Sequence, residues 1–339
     1  MIRILLSLIL LFALSSCEND RSKLHLYGWE EVFSKEIIAE FEKRYDTTVI
    51  FDIYDSNETM YAKLRTGASG YDLIVPTLYF VEIMQKQGML EEIDWDQIPN
   101  VKNLDLNAIW LVPDNIKKNA FPFYLSYSGI GFRTDRITTP TISWHIFNSK
   151  EFSRRMTLLN DIREVIGAAL ITLGFDPNTT NPEEIDHAKQ LIINWKKHIA
   201  KFENEQYKNG LATGEFFLSQ GYSGEIMQVM EENPKINFLI PEEGSLISFD
   251  FFAIPKGAKN KDLAMKFINF MYEPEISAKN MISFLERIPN QEAYPLLPEY
   301  LRESHVLFPS EETQERLHVI RDLGEDIKLY HKAWEEIKE

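Results

Sequence analysis

From Lys23 onward the chain alternates short β-rich runs with stretches whose apolar residues recur at helical spacing. Leu24 to Tyr27 predicts a strand and Lys35 to Tyr45 an amphipathic helix, after which Thr48 to Tyr54 predicts a strand and Thr59 to Arg65 a helix. Asp72 to Val75 reads as a buried strand, followed by a helix from Tyr79 to Gln87 that Gly88 closes. Strand and helix in alternation imply an α/β fold, with a mostly parallel sheet covered on both faces. In such sheets ligands sit at the carboxyl ends of the strands.

Hydrophobic continuity weakens from about Thr134 to Ser248, which predicts a second lobe. Helices are still expected there, from Arg163 to Leu173 and from Pro182 to Ala200, the latter with Asn181 as N-cap and Pro182 at its first position. Two segments predict crossings between lobes: Tyr124 to Phe132, where Gly129 and Gly131 supply backbone freedom, and Phe249 to Pro255. The chain shows no internal repeat and no low-complexity stretch.

At the start of the chain, Arg3 precedes an apolar run from Ile4 to Leu14 that ends at Leu14-Ser15-Ser16-Cys17. A spanning helix needs roughly 20 apolar residues, so the run predicts a secretory signal over residues 1–16. Cys17 is the single cysteine of the sequence, which excludes an internal disulfide and any cysteine-built metal or redox cluster. Its position after Leu-Ser-Ser resembles a bacterial lipobox, which would make Cys17 the acylated, palmitate-bearing first residue of the mature protein. Roughly 320 of the 339 residues then remain, enough for two domains. A net charge of −16 argues against nucleic acid as a partner and would draw cations toward a cleft.

Catalytic chemistry finds little support. The seven histidines are scattered, with no H-E-x-x-H pattern, so no metal site is expected. Gly221-Tyr222-Ser223-Gly224-Glu225 partly matches a nucleophile elbow, but Glu225 stands where that motif needs glycine. No nucleophile, base and oxyanion site assemble, and no phosphate-cradling loop is present, so neither a catalytic residue nor a cofactor is expected. Aromatic residues and carboxylates do recur at the ends of predicted strands: Tyr27 and Trp29, Tyr79, Asp161 and Glu164, Tyr222, and Phe249-Asp250. Taken singly, an aromatic is usually core and a carboxylate near a helix start usually a cap.

Several of these positions fall within stretches that carry a resemblance. Tyr54-Asp55-Ser56-Asn57-Glu58-Thr59-Met60-Tyr61-Ala62-Lys63-Leu64, then Gly70-Tyr71-Asp72-Leu73-Ile74-Val75-Pro76, resemble the PotD/PotF family of spermidine- and putrescine-binding proteins. Asp161 to Val165, Asp250 to Pro255, and Asn260-Lys261 leading into Leu263 to Met271 extend the likeness over essentially the whole mature chain. The resemblance implies a periplasmic binding protein fold of two lobes built from discontinuous segments, residues 24–127 with 251–295 in one and 128–250 with 296–339 in the other. It implies ligand-stacking aromatics at Trp29, Tyr79 and Tyr222, amine-binding carboxylates at Asp161, Glu164 and Asp250, and ligand-adjacent positions at Glu31 and Thr77. A polyamine suits such a site, because its methylenes need flat apolar walls and its ammonium groups need carboxylates and aromatic faces.

The implied function is an extracytoplasmic, lipid-anchored solute-binding protein, acting as a monomer, that captures a polyamine and delivers it to ABC permease subunits with a cytoplasmic ATPase. A polyamine or other cationic-solute sensor or adhesin of the same fold is the alternative. Departures from the family pattern are Val32 for tyrosine, Ser248 for tryptophan, Thr77 for serine, Glu286 for an aromatic and Ile320 for glutamine.

Overall fold

The computed structural model describes residues 21–30, 32–67, 70–138 and 142–339, so Cys17, the signal segment and Glu31 lie outside the described residues. Strand β1 (Ser22–Gly28) leads to helix α1 (Lys35–Tyr45), β2 (Thr47–Ile53), α2 (Asn57–Arg65), β3 (Leu73–Ile74) and α3 (Leu78–Lys86). Local sequence explains these boundaries. Ser34 accepts from the Ile37 N–H at 3.3 Å and Ser56 from the Thr59 N–H at 3.2 Å, so each helix starts on a serine cap. On α1, Ile37 and Phe41 lie four residues apart and are both buried, while Lys43 and Arg44 favour its C-terminal end. β1 pairs parallel to β2 along its length and parallel to β3, the arrangement that the strand and helix alternation requires.

The long strand β4 (Ala120–Arg133) changes partners halfway. Residues Ala120 to Tyr127 run antiparallel to β9 (Ser245–Ala253), whereas Ser128 to Arg133 pair with β7 (Leu218–Tyr222) and β8 (Ile236–Leu239). Between these strands come β5 (Met156–Leu158), α4 (Ile162–Thr172), α5 (Pro182–Lys196), β6 (Lys201–Phe202), α6 (Gln206–Thr213) and α7 (Ser223–Glu232). β5 lies parallel to β7 and β6, so β4 joins a group built from β1, β2, β3 and β9 to a group built from β5 to β8. Asn181 caps α5, accepting from the Glu183 N–H, but α5 ends at Lys196, four residues before the sequence pattern runs out. After β9 the chain forms α8 (Lys261–Met271) and α9 (Pro274–Phe284), with α9 against α1. The short helices α10 (Glu299–Arg302) and α11 (Glu311–Gln314) precede β10 (Leu317–Val319), which pairs with the start of β9; α12 (Ile327–Lys338) then packs on α5 and α4.

Gly129 and Gly131 do not act as sources of backbone freedom. Neither has a positive φ, and both sit in regular extended strand. Glycine is needed there for space: a Cβ at Gly129 would lie 2.5 Å from Phe238 Cζ and 2.6 Å from the Leu239 carbonyl oxygen, and one at Gly131 would lie 2.7 Å from Ile226 Cδ1. The close approach lets β8 and α7 cover the second half of β4. Gly129→Ala should therefore lower the stability of the ligand-free protein by about 1–3 kcal/mol through overpacking, read as a fall in thermal melting temperature.

Candidate functional site

Asp250 lies in the middle of β9, opposite Tyr124 of β4 on one side and bridged to Thr77 on the other. Phe251 donates its N–H to the Pro76 carbonyl at 2.9 Å, so the end of β3 and the start of α3 are fastened beside the carboxylate. Thr77 is itself held by Asn57, whose side chain donates to Thr77 Oγ1 at 2.9 Å and accepts from its N–H at 3.2 Å. Trp29 meets Tyr54 edge-on at 4.6 Å, and the Tyr54 hydroxyl donates to the Val75 carbonyl. Trp29 Nε1 and Asp250 Oδ1 are both buried without a hydrogen bond of normal geometry, although the indole is close enough to counter part of the carboxyl's rise in pKa. Burial dominates and pushes Asp250 up to about 7.

A second acidic group forms at the start of α4. Asp161 Oδ1 caps the helix, accepting from the N–H groups of Arg163 at 2.8 Å and Glu164 at 3.0 Å. The cap reading and the ligand reading of Asp161 are compatible, since both bonds use one oxygen. Glu164 is only 5% exposed, and its Oε2 has no partner. Burial first, and then Asp161, raise the Glu164 pKa to about 8. Arg163, between them in sequence, turns elsewhere: it donates to the Arg321 carbonyl and to Asn178 Oδ1, and lies over the Tyr330 ring at 4.9 Å. Tyr79 and Tyr222 are both raised well above the usual tyrosine value by burial, then by Glu58 and Asp161 for Tyr79 and by Asp161 and Glu164 for Tyr222.

The structure thus gathers Tyr79, Asp161, Glu164 and Tyr222 into one electrostatic neighbourhood, and Trp29, Thr77 and Asp250 into another. Glu58, Tyr54 and Glu286 were not among the site residues expected from the sequence. Glu58 stands in the first turn of α2, and although exposed along its length it has a carboxyl raised by local packing and by Asp161. Tyr54 and Glu286 both feel Asp250. Their sequence signal was slight: Tyr54 and Glu58 lie inside the quoted motif, and Glu286 is an acid between Leu285 and Arg287. Glu225 reaches the same region through Tyr222 and Glu286. Val32 contributes its carbonyl as acceptor for Tyr124 and Asn280, a structural duty that its side chain does not affect.

No ion pair among the described residues includes Asp161, Glu164, Asp250 or Glu286. Buried carboxyls without a cation are costly, and the site offers what a cationic ligand needs. A separate surface cavity of about 450 Å³ is lined by His25, Asp52, Lys63, Tyr71 and Lys259 among others; its lysines make it the wrong place for a cation. No group of histidine, cysteine and acidic residues able to hold a metal ion occurs among the described residues.

Raised carboxyls leave a signature in stability. The folded protein holds protons on Asp250 and Glu164 that the unfolded chain releases near pH 4, so their contribution is present below about pH 4 and lost as pH rises to about 7 and 8. Asp250→Asn removes one of these charges, and should raise the melting temperature of the ligand-free protein relative to the parent at pH 8, with little difference at pH 4.5. Scanning calorimetry at the two pH values checks this.

Comparison with known proteins accords with this geometry. A model of the bacterial extracellular solute-binding protein family matches residues 36–307. The putrescine-binding periplasmic protein SpuD of Pseudomonas aeruginosa is 33% identical over 341 residues, covering 94% of this chain and 92% of SpuD. Spermidine/putrescine-binding periplasmic protein 1 of Haemophilus influenzae is 33% identical over 327 residues, covering 96% of this chain and 90% of that protein. Among solved structures, the Tp0655 (TpPotD) lipoprotein of Treponema pallidum superposes with a TM-score of 0.85 at 34% identity, over 93% of this chain and 99% of that one. The architecture is the two-lobed periplasmic binding protein fold, crossed by β4 and β9. With that fold and a family match across most of its length, the chain belongs to the bacterial extracellular solute-binding proteins, and its role is to hold a solute.

Proposed function

We propose that the protein captures a polyamine, putrescine or spermidine, between its two lobes and passes it to the permease of an ABC importer. The observation that carries this reading is the set of buried and half-buried carboxyls without an ion-pair partner, Asp161 and Glu164 at the start of α4 and Asp250 on β9. An ammonium at each end of a methylene chain would neutralise both groups, while Trp29, Tyr79 and Tyr222 supply walls for the carbons. Relatives named for putrescine and spermidine binding, each about a third identical across the chain, support the same ligand class. In this reading the protein acts as a carrier of its solute.

We assign residues 24–127 with 251–295 to one lobe and 128–250 with 296–339 to the other, the bounds that the family resemblance implies. Trp29, Thr77 and Tyr79 then face Asp161, Glu164 and Tyr222 across the crossings, and closing the lobes excludes water from the ligand's charges. Glu31 is assigned to the same site by the family resemblance alone. Acylation at Cys17 would hold the protein at a membrane on the extracytoplasmic side, as a monomer. No helix among the described residues is long and apolar enough to cross a membrane by itself.

Calorimetric titration of residues 18–339 with putrescine and spermidine should give a dissociation constant of micromolar order or tighter, about −8 kcal/mol. Absence of heat and of thermal stabilisation with every di- and polyamine would overturn the ligand class. Asp250→Asn should weaken binding by about 2–4 kcal/mol, because an ammonium is left without its partner in a dry site. Cys17→Ser should abolish detergent-phase partitioning of the expressed protein or leave it as unprocessed precursor; unchanged partitioning would remove the anchor.

A further inference from the structure

Glu286 is a half-buried acid to which the structure gives a defined place. It follows α9 and Leu285, whose φ of 58° ends that helix in the left-handed region. Arg287 is then bridged to Leu125 of β4, Leu125 donating its N–H to the Arg287 carbonyl at 2.8 Å. That bridge sets Glu286 beside Ser126, whose hydroxyl donates to Glu286 Oε1 at 3.3 Å. On its far side a Cβ at Gly224 would overlap the same oxygen, so the first turn of α7 is open only because glycine stands there.

The neighbouring arginine is not its counter-ion. Arg287 pairs with Asp105 at 2.9 Å and donates to the Tyr294 hydroxyl at 3.1 Å. Glu286 Oε2 is buried and has no hydrogen-bond partner, and Asp250 Oδ1 is in the same condition. The titratable groups facing Glu286 are Asp250 from β9, Glu225 from α7, and Tyr124 and Tyr127 from β4; none of them is a cation. Burial, then Asp250, hold the Glu286 carboxyl well above the usual range. Asp250 lies opposite Tyr124 and Glu286 contacts Ser126, two residues along β4 and so on the same face of the strand, where a primary ammonium with three N–H groups could serve both orphaned oxygens.

We propose that Glu286 and Asp250 together form a seat for one terminal ammonium of the ligand, which makes Glu286 a specificity-determining residue favouring chains that end in a primary amine. The seat rests on the polyamine reading above and deepens it: Asp161 and Glu164 form the opposite acidic end, so a ligand must be charged at both termini.

The test compares the parent, Glu286→Gln and Glu286→Asp, each as residues 18–339, by calorimetry with putrescine and with N-acetylputrescine at pH 7 in buffers of different ionisation enthalpy. Glu286→Gln should bind putrescine about 10-fold or more weakly, should discriminate less between the two ligands, and should release fewer protons on binding, while its ligand-free melting temperature does not fall. Glu286→Asp keeps the charge but withdraws it, and should keep the proton release while losing affinity. A Glu286→Gln protein that binds putrescine with the parent's affinity and proton count overturns the seat. If Glu286 only caps α7, Glu286→Gln melts lower and its folded fraction binds as the parent does, which also overturns it. A parent that binds no amine overturns the proposed function itself, a result distinct from a parent that binds and a variant that matches it.

Discussion

The antiparallel pairing of β4 with β9 is the constraint on which the rest of the molecule depends. It joins Ala120–Ala253 at one end to Tyr127–Ile247 at the other, and past Tyr127 the strand β4 continues into a second set of partners. Each strand therefore belongs to one group of elements at one end and approaches the other group at the opposite end. Asp250 falls within this paired segment, opposite Tyr124, where the backbone groups are committed to the ladder and the side chain is fixed in direction. Rigid placement matters because a carboxylate that could swing into water would lose its electrostatic bias toward a cation.

Holding several carboxyls in a dry region costs folding stability, and this protein carries that cost without an internal cation to offset it. Arg163 and Arg287 are the nearby candidates by sequence, yet both are buried and engaged: Arg163 with a carbonyl, Asn178 and the Tyr330 ring, Arg287 with Asp105 and Tyr294. Their capture elsewhere keeps the acids available. An internal ion pair would stabilise the empty protein and compete with a solute, so the absence of one fits a site whose energy is released on binding. The aromatic residues act in the same direction. Tyr54, Trp29, Tyr79 and Tyr222 exclude water from the carboxyls, and several of them have their own hydroxyls raised by those same acids.

Much of this was legible in the sequence. The helices capped by Ser34, Ser56 and Asn181 and the strand and helix alternation follow from local spacing and short-range hydrogen bonding. Those interactions span only a few residues, so the order of side chains determines them. Asp161 shows the limit: sequence allowed either a cap or a binding carboxylate, and the structure shows the cap bonds confined to one oxygen. Gly129 and Gly131 show another, since extended geometry and crowding by Phe238, Leu239 and Ile226 replaced the expected backbone freedom.

By itself, then, the sequence determined the α/β class and the chemical character of the residues near strand ends. Only the tertiary structure decided which acids lack a counter-ion. Whether Glu286 is an ordinary surface acid or a buried partner of Asp250 depends on Arg287 turning toward Asp105, on Leu125 fixing the chain beside Ser126, and on Gly224 leaving room from another part of the molecule. These contacts join residues that are far apart in the chain. Burial and charge pairing are properties of the assembled space, and no local pattern of amino acids encodes them.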